Sequence, residues 1–170
     1  MATKNYATMD DFEAALLRAK QGLDGAIETA LRQNVSSLVD KIKLRVSTTG
    51  MDGNGSPFST PYSRSHAYKR KTKGKGSLGT QTSYKGFYFQ GTMWDNFKAL
   101  AFTNSGDRVS VSLGFTGSNT YVSNEALNQI HSATETNKGK TPLAMPNKQE
   151  GMELTRLIGK SIGDYLNSVL

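Results

Sequence analysis

Between Met9 and Val46 an apolar side chain recurs every three to five positions: Phe12, Leu16, Ala19, Leu23, Ile27, Ala30, Val35, Leu38, Ile42 and Val46. That spacing keeps one face of an α-helix apolar along its whole length. Asp10, Asp11 and Glu13 fall in the first turn, where carboxylates meet the positive end of the helix dipole. Lys41, Lys43 and Arg45 fall in the last turns, where cations are favoured, and Thr48, Thr49 and Gly50 end the run. At 1.5 Å per residue such a helix reaches about 57 Å. A 170-residue chain favours a single domain, and one of that size is too narrow to bury a rod of that length in its own core. Two solutions are open. The helix finds a neighbour for part of its stripe, or it kinks into two at Gly22 and Gly25, each of which costs about 1 kcal/mol against alanine.

The rest of the chain reads as short elements. Gly50 to about Ser83 is polar and has no period, so residues 50–83 are expected to form an extended basic loop or arm within a single domain spanning 1–170. Tyr84 to Gln90, with Phe87, Tyr88 and Phe89, has the composition of a strand; Phe87, Tyr88, Phe89 and Trp94 would anchor the base of the arm in the core, the alternative being a stacking platform for nucleic acid. Thr92 with Asp95 three positions on suggests a short helical turn running to about Phe97. Lys98 to Thr103 reads as a strand, Asn104-Ser105-Gly106-Asp107 as a turn, and Arg108 to Phe115 as a half-buried strand. In that last strand Val109, Val111, Leu113 and Phe115 alternate with Ser110, Ser112 and Gly114. Ser123 to His131 is expected as a short helix and Ser132 to Lys140 as a polar loop. Pro142 to Pro146 reads as a short extended piece. Asn147 to Leu170 is a final amphipathic helix with Leu154, Leu157, Ile158, Ile162, Leu166 and Val169 on its stripe. The order predicts an α+β fold: a long N-terminal and a C-terminal helix packed on a small antiparallel sheet.

Charge is concentrated rather than spread. The net charge is +7, from 21 Lys and Arg against 14 Asp and Glu. No acidic residue occurs between Gly53 and Trp94, a stretch that holds Arg64, Lys69, Arg70, Lys71, Lys73, Lys75 and Lys85. Those seven account for the whole surplus, so the remainder of the chain is electrically balanced. Three readings follow for Arg64 to Lys75, with Tyr62 and Tyr68 interleaved: contact with a polyanion through phosphates, contact with a neighbouring subunit, or a solvated loop.

Catalytic chemistry is hard to assemble from these residues. There is no cysteine, hence neither a disulfide framework nor a thiolate zinc site, and His66 and His131 lie far apart in sequence. Acidic residues are scattered, and Asp10, Asp11, Glu150 and Glu153 suit helix starts better than a metal. Ser63 and His66 are close, but a nucleophile needs a third, orienting group and an oxyanion site. A nuclease would need clustered carboxylates to hold its metal. Gly74-Lys75-Gly76-Ser77-Leu78-Gly79 matches G-x-G-x-x-G in letters only; polar residues flank it where a strand and a helix are required, which favours a flexible loop. No catalytic residue, metal or cofactor is expected. Met1-Ala2-Thr3-Lys4-Asn5 has no apolar core behind it, so no signal peptide is expected, and no apolar run is long enough to span a bilayer.

The order of motifs resembles the tail-completion, or head–tail joining, proteins of long-tailed bacteriophages, also labelled virion morphogenesis or neck proteins. The matching residues are Gly55-Ser56-Pro57-Phe58, Tyr62-Ser63, Tyr68 with Lys69 to Lys71, and Gly91-Thr92-Met93-Trp94 with Phe97, ahead of the hairpin to Phe115. Asn124 to His131 and Pro142 to Pro146 resemble the family's short helix and its proline-flanked segment. The family's Thr-Gly stands here as Gly91-Thr92, and Met145-Pro146-Asn147 replaces a segment that often carries an Arg. The resemblance implies a non-enzymatic virion protein, assembled in the host cytoplasm, that forms a six-fold or twelve-fold homo-oligomeric ring joining tail to DNA-filled head. Its implied partners are other connector, neck and tail-tube proteins, with genomic DNA in the lumen and no membrane. Arg64, Lys69, Arg70, Lys71, Lys73 and Lys75 would then face a neighbouring subunit or the DNA. The alternative is a nucleic-acid-binding protein, indifferent to sequence, that uses the 64–75 segment.

Overall fold

The computed structural model describes Tyr6 and residues 8–58, 62–84, 86, 92–105, 108–116 and 145–170. Most of the strand expected at 84–90, Gly91, the short helix at 123–131, the polar loop at 132–140 and Pro142 lie outside the described residues. The elements are α1 (Met9–Thr49), α2 (Arg64–Lys73), α3 (Gly76–Thr80), α4 (Thr92–Asp95), β1 (Phe97–Asn104), β2 (Val109–Phe115) and α5 (Lys148–Val169). The architecture is α+β, with a two-stranded antiparallel sheet between the long helices in sequence.

α1 is one helix of 41 residues, about 62 Å long, not two. Its start is a capping box: the Asp11 amide donates to the Thr8 hydroxyl (3.2 Å) and the Thr8 amide to the Asp11 carboxylate (3.1 Å). It ends at Gly50, which takes a left-handed φ of 65°. Arg45 is therefore not in the last turn, and its charge is used elsewhere. Gly22 does not break the helix. It admits the Tyr165 hydroxyl, which a Cβ at that position would overlap.

α5 runs antiparallel to α1, with Glu150 beside Arg45 at one end and Tyr165 beside Arg18 and Ala19 at the other. It starts with its own capping box, formed by Asn147 and Glu150. Small residues set the approach. Ala15 and Ala19 are buried, whereas Phe12 and Leu16, expected in the core, are 37% and 43% exposed. Close packing on Ala15, Ala19 and Gly22 leaves Leu16 off the contact, while Phe12, at its border, meets the Tyr6 ring edge-on at 5.3 Å. The α5 stripe, Leu154 through Val169, is only half-buried.

β1 and β2 pair from Phe97↔Phe115 to Asn104↔Val109, with an irregularity between Ala99 and Ala101. The bulge leaves Leu100 without a register partner and shifts the side-chain alternation by one. Phe97 and Ala99 before it, and Phe102 and Asn104 after it, thus share a face with Phe115, Leu113, Val111 and Val109. A lone hairpin is marginal in water. This one lies along α1: Arg32 sits over the Phe102 ring at 4.1 Å, and the Asn104 amide donates to Glu28. The core gathers at the C-terminal end of α1, where Leu38, Val39, Ile42 and Val46 meet Phe58, Trp94, Phe97 and Phe115.

The segment expected as an extended loop is folded. Asp52 is buried, and its carboxylate accepts from the amides of Asn54 (2.9 Å) and Ser56 (2.8 Å), closing a tight turn that delivers Phe58 to the core. α2 follows, with the Ser63 hydroxyl accepting from the His66 amide. It lacks an apolar period because a single residue, Arg70, makes its inward contact. The glycine-rich stretch forms the turn into α3 rather than a flexible loop. Gly76 takes a φ of 63°, and Gly74 lies against the backbone of Gly79 and within 2.6 Å of Arg70 O at its Cβ position. Gly74→Ala should therefore force α2 and α3 apart and destabilise the fold by about 1–3 kcal/mol. Urea unfolding and amide exchange in α3 would show it; an unchanged midpoint would refute the close packing.

Candidate interaction site

α2 and α3 form one compact unit pinned by Arg70. The Arg70 side chain is 1% exposed. Its Nε donates to Gln81 O (2.8 Å), its Nη2 to Leu78 O (2.7 Å), and its guanidinium lies 4.3 Å above the Tyr62 ring. Carbonyl oxygens at the end of α3 and an aromatic face thus receive a buried cation, an arrangement suited to the flat, multiply donating guanidinium. Tyr62 also stacks on His66, with centroids 4.9 Å apart. Ser63 and His66, weighed as a nucleophile and base, instead cap α2 and stack on Tyr62.

The unit is tethered to the end of α1. Gln81 Nε2 donates to Tyr84 O (2.9 Å), and the Tyr84 hydroxyl donates to Ser47 O (3.1 Å). The basic segment is accordingly a short helix mounted on the core.

The six cations separate into two groups. Arg70 is internal, while Arg64, Lys69, Lys71, Lys73 and Lys75 are exposed. At about 100° per residue, the side of α2 opposite Arg70 carries Tyr68, flanked by Lys69 on one side and by Arg64 and Lys71 on the other. Tyr68 is 70% exposed. The signature residues divide likewise. Phe58 and Trp94 are buried in the core, Tyr62 holds Arg70, and Tyr68 alone among these four faces solvent. Thr92 and Met93 belong to α4.

A second polar constellation escaped sequence reasoning. Arg45 Nε donates to Glu150 Oε1 (2.7 Å) and Nη2 to Glu150 Oε2 (3.3 Å). Nη1 donates to Met51 O (2.7 Å), and Nη2 also to Met145 O (2.9 Å). Both side chains are largely buried, at 11% and 7% exposure. Glu150 is at once the third-position member of the α5 capping box, accepting from the Asn147 amide, and the partner of Arg45, so one carboxylate joins the start of α5 to its docking point. Two further ion pairs on α1 are more exposed. Lys41 pairs with Glu153, and Arg32 with Glu28. The hydrogen bond from Lys41 lowers the Glu153 pKa below 4.5, and those from Arg32 and Asn104 do the same for Glu28. Whatever these pairs contribute is present above pH 4.5 and is lost as pH falls through the lowered values.

Among the described residues, no three His, Cys, Asp or Glu side chains gather as a metal would require, and no helix is long and apolar enough to cross a membrane. The grooves along α1 are open and shallow. One, between α1 and α5, is lined by Gly25, Ala26, Thr29, Ala30, Ser161 and Tyr165. Two exposed features stand out among the described residues: a cationic helix bearing Tyr68, and a long helix pair with a half-covered apolar stripe. No protein-family model, curated protein or solved structure matches the chain.

Proposed function

We propose that the chain is a non-enzymatic structural subunit of a bacteriophage virion, forming a homo-oligomeric ring at the head–tail junction. The observation that carries this reading is α1: about 62 Å of unbroken helix whose first turns expose Met9, Phe12, Leu16 and Leu17. The domain covers the inner face of α1 from Ala15 onward but leaves the apolar side chains of these first turns exposed, and subunits arranged around a ring would supply their cover. The motif order shared with tail-completion proteins supports the same role, with connector, neck and tail-tube proteins as partners.

The purified full chain, examined by native mass spectrometry and negative-stain microscopy, is expected to show closed rings of six or twelve copies. A chain that stays monomeric at high micromolar concentration and is missing from purified particles would overturn the proposal. A nucleic-acid-binding role is the second reading, favoured by the five exposed cations on and beside α2. It requires the same preparation to bind duplex DNA with an affinity that falls steeply with salt.

A further inference from the structure

The chain carries two exposed patches of opposite charge at opposite ends of α1, and each has an apolar centre. The first is the start of α1. Met9 to Leu17 contains Asp10, Asp11 and Glu13 and no cation. At about 100° per residue, Met9, Glu13, Leu17 and Asp10 fall within an arc of about 100° turned away from Ala15 and Ala19, which face α5; Leu16 and Phe12, the latter packed edge-on against Tyr6, lie at its border, and the exposed Lys20 follows one turn further on. Met9 is 70% exposed and Leu17 is 56% exposed. The second patch is the outer side of α2, where Tyr68 has Arg64 and Lys71 beside it and Lys69 further round, beyond Ser65 and Thr72.

We infer that these two patches meet between copies, the α1 tip of one subunit seating on α2 of the next. Opposite charge, an aromatic centre and a polar rim are the ordinary makings of such a contact. The patches differ and lie at opposite ends of α1, so the contact runs head to tail from copy to copy, and with a closing rotation it gives the ring; a reciprocal two-fold dimer is the competing closure, and the copy number of the assembly separates the two. DNA would satisfy the cations of α2 but leaves the acidic, apolar tip of α1 without a role; a second copy answers both. The inference rests on the ring reading above and specifies its contact.

The test is charge reversal and its repair in the full chain. Asp10→Lys with Glu13→Lys, and separately Lys69→Glu with Lys71→Glu, should each raise the concentration for half-assembly at least about tenfold. The chain carrying all four changes should assemble again within about threefold of the parent. Tyr68→Ser, at a position that takes no part in the core, should weaken assembly about tenfold with unchanged circular dichroism. If the parent assembles and every variant assembles equally well, this contact is wrong and the ring stands. If single reversals weaken assembly and the fourfold change brings no recovery, the pairing of these two patches is wrong. If Lys69→Glu with Lys71→Glu abolishes binding to a DNA duplex and spares assembly, α2 serves nucleic acid instead. If the parent never assembles, the ring reading falls first.

Discussion

Arg45→Met is expected to destabilise the protein by about 3–5 kcal/mol, which for a chain of this length lowers the melting temperature by on the order of 10 °C. The reason is what it leaves behind. The Glu150 carboxylate, 7% exposed, loses its partner, and the carbonyls of Met51 and Met145 lose their donor. Four chain segments that converge on one guanidinium would separate together: α1, the turn at Met51, the backbone at Met145 and the start of α5. Lys41→Met is the matching control. Its pair with Glu153 is about one-third exposed on each side, so its loss should cost under about 1 kcal/mol. Urea unfolding at a fixed protein concentration measures both, fixed because assembly itself would shift the midpoint. Equal losses for the two variants would show that the clasp has no special weight.

Phe97→Ala should cost about 3–5 kcal/mol as well, by a different route. Phe97 is fully buried, with Trp94 edge-on at 5.7 Å and Phe115 at 5.1 Å between centroids. It is the first residue of β1 and faces the last turns of α1, so the cavity would open where the hairpin is fastened. Neighbouring rings are held by several elements and cannot all collapse inward. Phe102→Ala, at the half-buried end of the same strand face, should cost markedly less. Should the two prove equal, the hairpin is not anchored at Phe97.

What could be read from the sequence follows from how local each cause is. Helical period and caps are local, and α1, α5 and their boundaries emerge from them to within a few residues. β2 alternates cleanly and is equally plain. β1 is plain only as a strand; the bulge at Leu100 shifts its alternation, and its inward residues become visible only once it is paired. α2 was hidden for another reason. Its inward contact is one arginine, and no hydropathy pattern marks a helix held by Arg70. The same blindness placed Arg70 among the interaction residues, where the other five cations are indeed exposed. Arg45 and Glu150 were each explained by the helix dipole, because nothing local says that two helix-end charges far apart in sequence will meet. The spacing puts Phe12 and Leu16 on one apolar stripe with Ala19, and period alone does not say which part of a stripe is covered. The structure packs the small residues beside them instead, since only those let α5 approach closely.

The pairing of α1 with α5 also sets an order in time. α1 is complete at Thr49, and its partner starts at Lys148. A ribosome adding about 5–20 residues per second needs roughly 5–20 s to cross that interval. Throughout it, Ala15, Ala19 and the residues around Gly22 have no α5 to lie against. The clasp that ends the wait closes a loop of 105 positions, so it forms among the last contacts rather than the first. Nascent chains on one message hold this uncovered helix side by side, and that is the stage at which the protein is most open to aggregation or to premature pairing with another copy.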